Sequence, residues 1–396
     1  MMNNKLRIAI FSDTSLNEVN GVATSVRYLM KVLENNGHEV YLFTSGENNN
    51  FDEENHIITI KGKQLKKLYN YYGVFPLHSN VKKIFKELNF DLVHVNTEFG
   101  VGILGYQCAK KFKKPLVYTY HTKLENYIYY IFKNLPKKEL IKILKKLTKK
   151  YVNDSSEVIV PGKDTKAYLE SCGVKKNINI VPTGIDIDRF SLEEKDYIYY
   201  RTKIRNFLKI SNDCKVILCL GRLASEKNFD ETIEKFANYK EANPKANTKL
   251  VFVGDGPFLE NLKEQASALN EKDNILFVGK VAQDDIHKYY TIGDVFLNCS
   301  LSETQGLTYM EAMASKLIIL TKKASYLEGV IKDNKTGFCF ETQDEFNDKL
   351  NKIFLLNNEE KKKILSNEID VVRDYSLELF YDNIMVVYHK ALEKGL

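Results

Sequence analysis

The stretch "VFLNCSLSETQGLTYMEAM", residues 295–313, decides how the chain is built. Its first six residues are a short apolar run with strand character. A polar loop follows, then Gly306, then a segment with helical apolar spacing. Strand, Gly-containing turn and helix in succession make a βα unit. The start of such a helix presents unpaired backbone N–H groups and the positive end of the helix dipole. That makes it a site for an anion.

The same alternation runs through the chain. Strand-like runs in the first half are "LRIAIF", "EVYLFT", "HIITI", "DLVHVN", "PLVYTYH", "EVIVPG" and "INIVPTG". In the second half they are "KVILCLGRL", "KLVFVGDG", "ILFVGKV", "VFLNCS", "LIILTKK" and "TGFCF". Several are apolar on both faces, as strands of a covered parallel sheet must be. The pattern predicts an α/β fold of two Rossmann-like, doubly wound domains, with ligands beyond the carboxyl ends of the strands. "PTGIDIDRF", 182–190, reads as the linker. The expected boundaries are 1–185, 186–375 and a terminal helix over 376–396. That helix has apolar positions at Leu379, Phe380, Ile384, Val387 and Leu392, and so needs a surface to dock on.

A chain of 396 residues exceeds what one core usually serves, and 44% hydrophobic with 28% charged residues is ordinary globular composition. The six cysteines show no metal-site or C-x-x-C spacing, which points to reduced thiols. The N-terminus lacks the h-region of a signal peptide, and no apolar run reaches the roughly 18 residues of a spanning helix. The charge is uneven. Residues 1–185 hold 28 Lys and Arg against 17 Asp and Glu, a surplus of +11, and the remainder holds 30 against 35, a deficit of −5. The basic half suits an anionic partner, although a general Lys-rich surface explains the bias equally well.

Glu303 and Glu311 bracket the Gly306-Leu307-Thr308 turn. A ligand with a diphosphate in the middle would meet a carboxylate on each side. A nucleotide sugar has that layout: ribose, diphosphate, hexose. A capped surface helix fits as well, since Ser302-x-x-Gln305 matches a capping box. Upstream, Arg222 and Lys227 follow the strand "KVILCL", where two cations can clamp a diphosphate. Gly254 and Gly279 sit at two further strand exits, and Gly21 opens a helix. Each glycine allows close backbone approach. His121 ends the strand "PLVYTYH", where it could bond a ligand or be purely structural.

Taken together, "GRLASEKNFD", "VGDGP", "FVGKV" and "SETQGLTYMEAMA" resemble the retaining GT-B glycosyltransferases of family 4 in order and spacing. The pair Glu303/Glu311 resembles that family's E-x7-E motif. "FSDTSLNEVNGVATSVRYL" and "YTYHTKLENYIYY" resemble the branch that glucosylates diacylglycerol. The resemblance implies a UDP-sugar donor, no metal and no cofactor. Arg222 and Lys227 would bind the diphosphate, with Gly21, Gly254, Gly279, Gly306, Leu307 and Thr308 around it. Glu303 would meet the transferred sugar beside His121, and Glu311 the ribose. Asp13, Lys123, Glu125, Tyr127 and Tyr130 would lie on the acceptor side. Three departures stand out: Gly162 after the Pro of "VIVPG", Lys316 where the family often has Gly, and Leu124 where the branch often has an aromatic.

Residues 131–152, "IFKNLPKKELIKILKKLTKKYV", place Leu140, Ile141, Leu144, Leu147 and Tyr151 on one helical face. Lys142, Lys145, Lys146, Lys149 and Lys150 fall on the other. A basic amphipathic helix suits an anionic leaflet, and an apolar stripe packed on a core gives the same pattern. The expected partners are a nucleotide sugar, a membrane lipid acceptor and an anionic membrane surface, with no nucleic acid. The expected location is the cytoplasmic face of the cell membrane.

Overall fold

The computed structural model describes residues 5–18, 20–65, 71–121, 137–301 and 303–395. The chain forms two compact units, 1–184 with 377–396, and 185–376.

In the first unit, β1 (Arg7–Ser12), α1 (Gly21–Asn35), β2 (Glu39–Gly46), β3 (Asn50–Asp52) and β4 (Ile57–Lys61) come first. A hairpin of β5 (Lys63–Leu65) and β6 (Tyr71–Gly73) leads to α2 (Ser79–Leu88). Then follow β7 (Leu92–Val95), α3 (Gly100–Phe112), β8 (Leu116–Thr119), α4 (Lys137–Asp154), β9 (Glu157–Val160), α5 (Lys163–Ser171) and β10 (Asn179–Ile180). Apart from the β5–β6 pair, the described strands of this unit make one sheet in the order β10-β9-β8-β7-β1-β2-β4-β3, parallel except for β3. The short runs "NFD", "KQL" and "YYG" carry no apolar signal, so β3, β5 and β6 were not legible in the sequence.

Both faces of this sheet are covered, which is why β1 reads as an almost continuous apolar run. Ile8 and Ile10 are buried on one face, Ala9 and Phe11 on the other. Phe11 stacks on Phe43 with ring centroids 4.4 Å apart. The C-terminal helix Leu377–Lys394 belongs to this unit. It buries Phe380, Ile384, Val387, Tyr388 and Ala391. Leu379, expected on the docked stripe, is instead half-exposed.

The second unit contains α6 (Ile187–Phe190), α7 (Glu194–Phe207), β11 (Lys215–Leu220), α8 (Phe229–Ala242), β12 (Thr248–Val253) and α9 (Leu259–Ser267). It continues through β13 (Ile275–Gly279), α10 (Ile286–Tyr290), β14 (Val295–Asn298), α11 (Leu307–Ala314), β15 (Ile318–Lys322), β16 (Phe338–Phe340), α12 (Gln343–Leu355) and α13 (Asn358–Arg373). Its parallel sheet has the order β13-β12-β11-β14-β15-β16. The chain enters and leaves this unit side by side, since Ile185 N donates to Tyr375 O at 2.8 Å.

One departure from the family pattern has a structural cost. Lys316 sits just past α11 with φ +61, in the left-handed region where Cβ crowds the backbone. Glycine carries no such penalty. Lys316→Gly should therefore raise stability by about 1 kcal/mol. A urea midpoint unchanged or lowered in the variant would contradict this.

Candidate active site

In each sheet the chain adds strands in one direction from a first strand and then reverses. The reversal lies between β1 and β7 in the first unit and between β11 and β14 in the second. At such a switch point the two flanking loops turn away from each other and leave a crevice at the carboxyl edge.

In the second unit, that edge gathers most of the candidate residues. The β11 exit carries Arg222 and the turn Ser225–Lys227. The β14 exit carries Glu303 and Gly306. Arg222 Nη2 lies 2.6 Å from Glu226 Oε1, and Lys227 Nζ pairs with Glu303 Oε1. All four side chains are largely buried. Sequence reasoning missed Glu226, although its four-residue spacing from Arg222 was a usable signal. Asn228 Nδ2 donates to Cys299 O at 3.3 Å and ties the two loops together.

Gly254 is explained first by packing, and Gly279 by its left-handed backbone at φ +87, where a Cβ would meet nothing within 4 Å. Gly254 has φ +145, and a Cβ there would lie 1.9 Å from the Gly221 carbonyl oxygen. Its N–H donates to Gly279 O at 3.0 Å. Three strand exits thus touch through their backbones.

Helix α11 begins at Leu307, with Gly306 as its N-cap in the left-handed region at φ +75 and no side-chain cap. The capping-box expectation is corrected: Ser302 lies outside the described residues, and the helix starts beyond Gln305. Without a side-chain cap, the first-turn N–H groups of Leu307 and Thr308 remain open to an outside acceptor.

Glu311, one turn further on, is only 4% exposed and accepts from Tyr290 Oη at 2.7 Å. Burial pushes its carboxyl up to about 7, opposed by the Tyr290 bond and the charge of Arg189. Arg189 in turn donates to Gln283 O.

In the first unit, Gly21 opens α1 behind the Asn20 cap, and a Cβ there would meet nothing within 4 Å. His121 follows β8, is buried, and places Nε2 2.9 Å from Asn96 Oδ1. Burial lowers its pKa to about 4.

Asp13 and the α4 stripe, both expected on the acceptor side, have partners within the first unit. Asp13 caps α3 instead: its carboxylate accepts from Val101 N at 2.8 Å, Gly102 N at 3.3 Å and Thr97 Oγ1 at 2.6 Å. A carboxylate is stabilised at a helix N-terminus. The α4 stripe does not face outward. Leu144 and Tyr151 are buried in the core of the unit, and Leu147 packs against it. The apolar face that a bilayer would need is already occupied. The Leu140 side chain lies outside the described residues. Lys142, Lys146 and Lys149 are exposed, Lys145 partly so, and Ile143 on their side is 63% exposed. Lys142 lies 2.9 Å from Glu139. Lys123, Leu124, Glu125, Tyr127 and Tyr130 lie outside the described residues. Among the described residues no helix is long and apolar enough to cross a membrane.

Comparison with known proteins adds to this geometry. The family pattern described as "Glycosyl transferases group 1" matches residues 200–369, and "Glycosyltransferase Family 4" matches residues 19–189. The chain is 35% identical over 338 residues to an alpha-monoglucosyldiacylglycerol synthase of Streptococcus pneumoniae, covering 85% of this chain and 75% of that one. It is 31% identical over 400 residues to the alpha-monoglucosyldiacylglycerol synthase of Acholeplasma laidlawii, covering 98% of both. The sucrose-phosphate synthase of Thermosynechococcus elongatus has the same fold, with a TM-score of 0.78 at 18% identity over 99% of this chain and 100% of that one.

The buried Glu311 carboxyl makes stability pH-dependent. In the unfolded chain it titrates near its ordinary 4.5, and in the folded chain near 7. Between these values the unfolded state has released a proton that the folded state keeps, so stability falls as pH rises. Above pH 7 the loss is on the order of 3 kcal/mol. Glu311→Gln removes the titration and should gain stability relative to the native chain as pH rises from 5 to 8. Urea unfolding at the two pH values checks this, and a difference independent of pH overturns it.

Proposed function

The chain belongs to the GT-B glycosyltransferases, and on that basis we propose that it transfers a hexose, glucose in our reading, from a UDP-sugar to diacylglycerol or a glycosyl-diacylglycerol, with retention at the anomeric carbon. The observation that carries this reading is the likeness to the Acholeplasma synthase along 98% of both chains. The paired charges at the β11 and β14 exits support it.

The proposed mechanism begins with an exchange of partners. Before a donor arrives, Lys227 is neutralised by Glu303 and Arg222 by Glu226. A diphosphate takes both cations, Arg222 through its planar guanidinium and Lys227 as a point charge. The open N–H groups at Leu307 and Thr308 donate to its remaining oxygens. Glu303, released from Lys227, is then free to accept hydrogen bonds from hydroxyls of the transferred sugar. Glu311 accepts from the ribose, which favours its ionised form. As the glycosidic bond to phosphate breaks, charge grows on the leaving diphosphate, and the same cations and amides stabilise it. These groups supply the charge compensation without a metal ion. The same reading would assign Gly21 to the phosphates and His121 to the sugar.

A soluble acceptor is the competing reading, and the burial of the α4 stripe favours it. Membrane recruitment would then rest on the exposed lysines alone, each worth at most about 1 kcal/mol near an anionic surface. The enzyme would work at the inner face of the cell membrane.

Two outcomes are expected. Glu303→Ala should lower kcat/KM at least tenfold, because a hydrogen bond to a charged group contributes about 1.5–3 kcal/mol. Arg222→Ala and Lys227→Ala should weaken UDP binding in calorimetry, and excess EDTA should leave turnover intact. Normal turnover in Glu303→Ala overturns the donor-site reading, and loss in EDTA with rescue by Mg²⁺ overturns the metal-free one. Separately, the native chain should sediment with anionic vesicles at low salt. Replacing Lys142, Lys145, Lys146 and Lys149 by Glu should abolish this, while UDP binding stays unchanged. A native chain that ignores such vesicles moves the soluble acceptor ahead.

A further inference from the structure

We propose that Asn96 is the positioning residue of His121: its amide oxygen holds the imidazole as the Nε2–H tautomer, so the ring meets a sugar hydroxyl through the Nδ1 lone pair, as a hydrogen-bond acceptor and not as an acid. The second half of this statement rests on the proposed glycosyl transfer. The first half does not.

β7 and β8 are parallel neighbours with Val95 opposite Tyr118. Asn96 and His121 therefore both lie just past the carboxyl edge of the first unit's sheet, with Asn96 on the strand that borders the β1/β7 switch point. Asn96 is anchored by its own backbone, whose N–H donates to Phe11 O at 2.9 Å. It is 2% exposed. An amide oxygen can only accept, so at 2.9 Å from Asn96 Oδ1 the His121 Nε2 carries the proton. In a neutral ring the other nitrogen is then an acceptor. No described group engages Nδ1.

The surroundings keep the ring neutral. His94 lies beside it with both nitrogens occupied, Nδ1 at 2.7 Å from Tyr388 Oη and Nε2 at 2.6 Å from Thr119 Oγ1. Burial lowers both histidines, His94 to about 3 and His121 to about 4. Among the described residues the ring's only hydrogen bond is to Asn96, and none pairs it with a carboxylate. A ring that stays neutral at pH 7 is a poor proton donor and a good acceptor.

Asn96 has a second feature. Its Nδ2 is buried and has no hydrogen-bond partner among the described residues. An unfilled buried donor is unfavourable, and natural sites with one usually meet an oxygen from elsewhere. Asn96 and His121 line an internal cavity together with Ser25, His94, Thr119 and Thr183. A chain that needed only a core filler here would not select an amide with an idle N–H₂.

The test uses the full-length chain labelled with ¹⁵N at its seven histidines. Two-bond ¹⁵N–¹H spectra distinguish the tautomers, and the signals lost in His121→Gln assign the ring. The native chain should give the Nε2–H pattern at pH 7 and keep a neutral ring at pH 5. Asn96→Ala should lose the fixed tautomer, with both nitrogens moving towards averaged shifts. Its kcat should fall tenfold or more, while KM for the donor stays within about twofold. Asn96→Asp keeps an acceptor oxygen, so at pH 8 the Nε2–H pattern should return. An Nδ1–H pattern or an imidazolium in the native chain overturns the proposal. So does an unchanged tautomer in folded Asn96→Ala. If Asn96→Ala does not fold, the native and Asn96→Asp spectra decide. Full activity of His121→Gln alongside the expected tautomers would instead sink the sugar-contact reading and leave the Asn96 assignment standing.

Discussion

A parallel strand cannot be followed directly by its neighbour, because the chain must first return across the sheet. Most returns here contain a helix laid on one face; β2 to β4 and β15 to β16 return without an α-helix. Both faces are therefore covered, and the strands between them carry apolar side chains on each side. The same constraint puts every carboxyl end of a unit's parallel strands on one edge. Where the strand order reverses, the loops part. The positions of Arg222, Lys227, Glu303 and Gly306 in one unit, and of Asn96 and His121 in the other, follow from this.

Within the second unit the exits of β11, β12 and β13 meet backbone to backbone at Gly221, Gly254 and Gly279. That contact leaves no room for a side chain on Gly254. It also fixes the base from which Arg222 projects. The cations of this edge are held by carboxylates of the same edge, Glu226 and Glu303. A half-buried cation without a counter-charge would be costly, and the ion pairs offset that cost until a ligand competes for the charge. Under the proposed function, a diphosphate would bring more than one negative charge, which would favour the exchange over a single carboxylate.

Charged residues also show where pattern and role part company. Asp13 follows a strand in the expected crevice, yet its carboxylate is spent on the N-terminus of α3. The lysine-rich α4 has the periodicity of a membrane-surface helix, yet Leu144 and Tyr151 are core. Periodicity reports that one face is apolar and does not say which partner covers it. Lysines on the opposite face are compatible with either partner.

Read by itself, the sequence determined the two α/β units, the strands that carry them and the glycine turn before α11. Those features are local: alternating apolar runs, strand-exit glycines and helical spacing are written in neighbouring residues. The spacings of Glu303 with Glu311 and of Arg222 with Lys227 are local in the same sense. Only the tertiary structure decided which carboxylate neutralises which cation, that Glu311 is buried against Tyr290, and that Asn96 stands against His121. Apart from Arg222 and Glu226, four positions apart on one loop, these pairs join residues 21 to 76 positions apart that meet only in the folded unit. Short polar strands such as β3 were decided there as well, because backbone pairing at a sheet edge needs no apolar side chain to announce it.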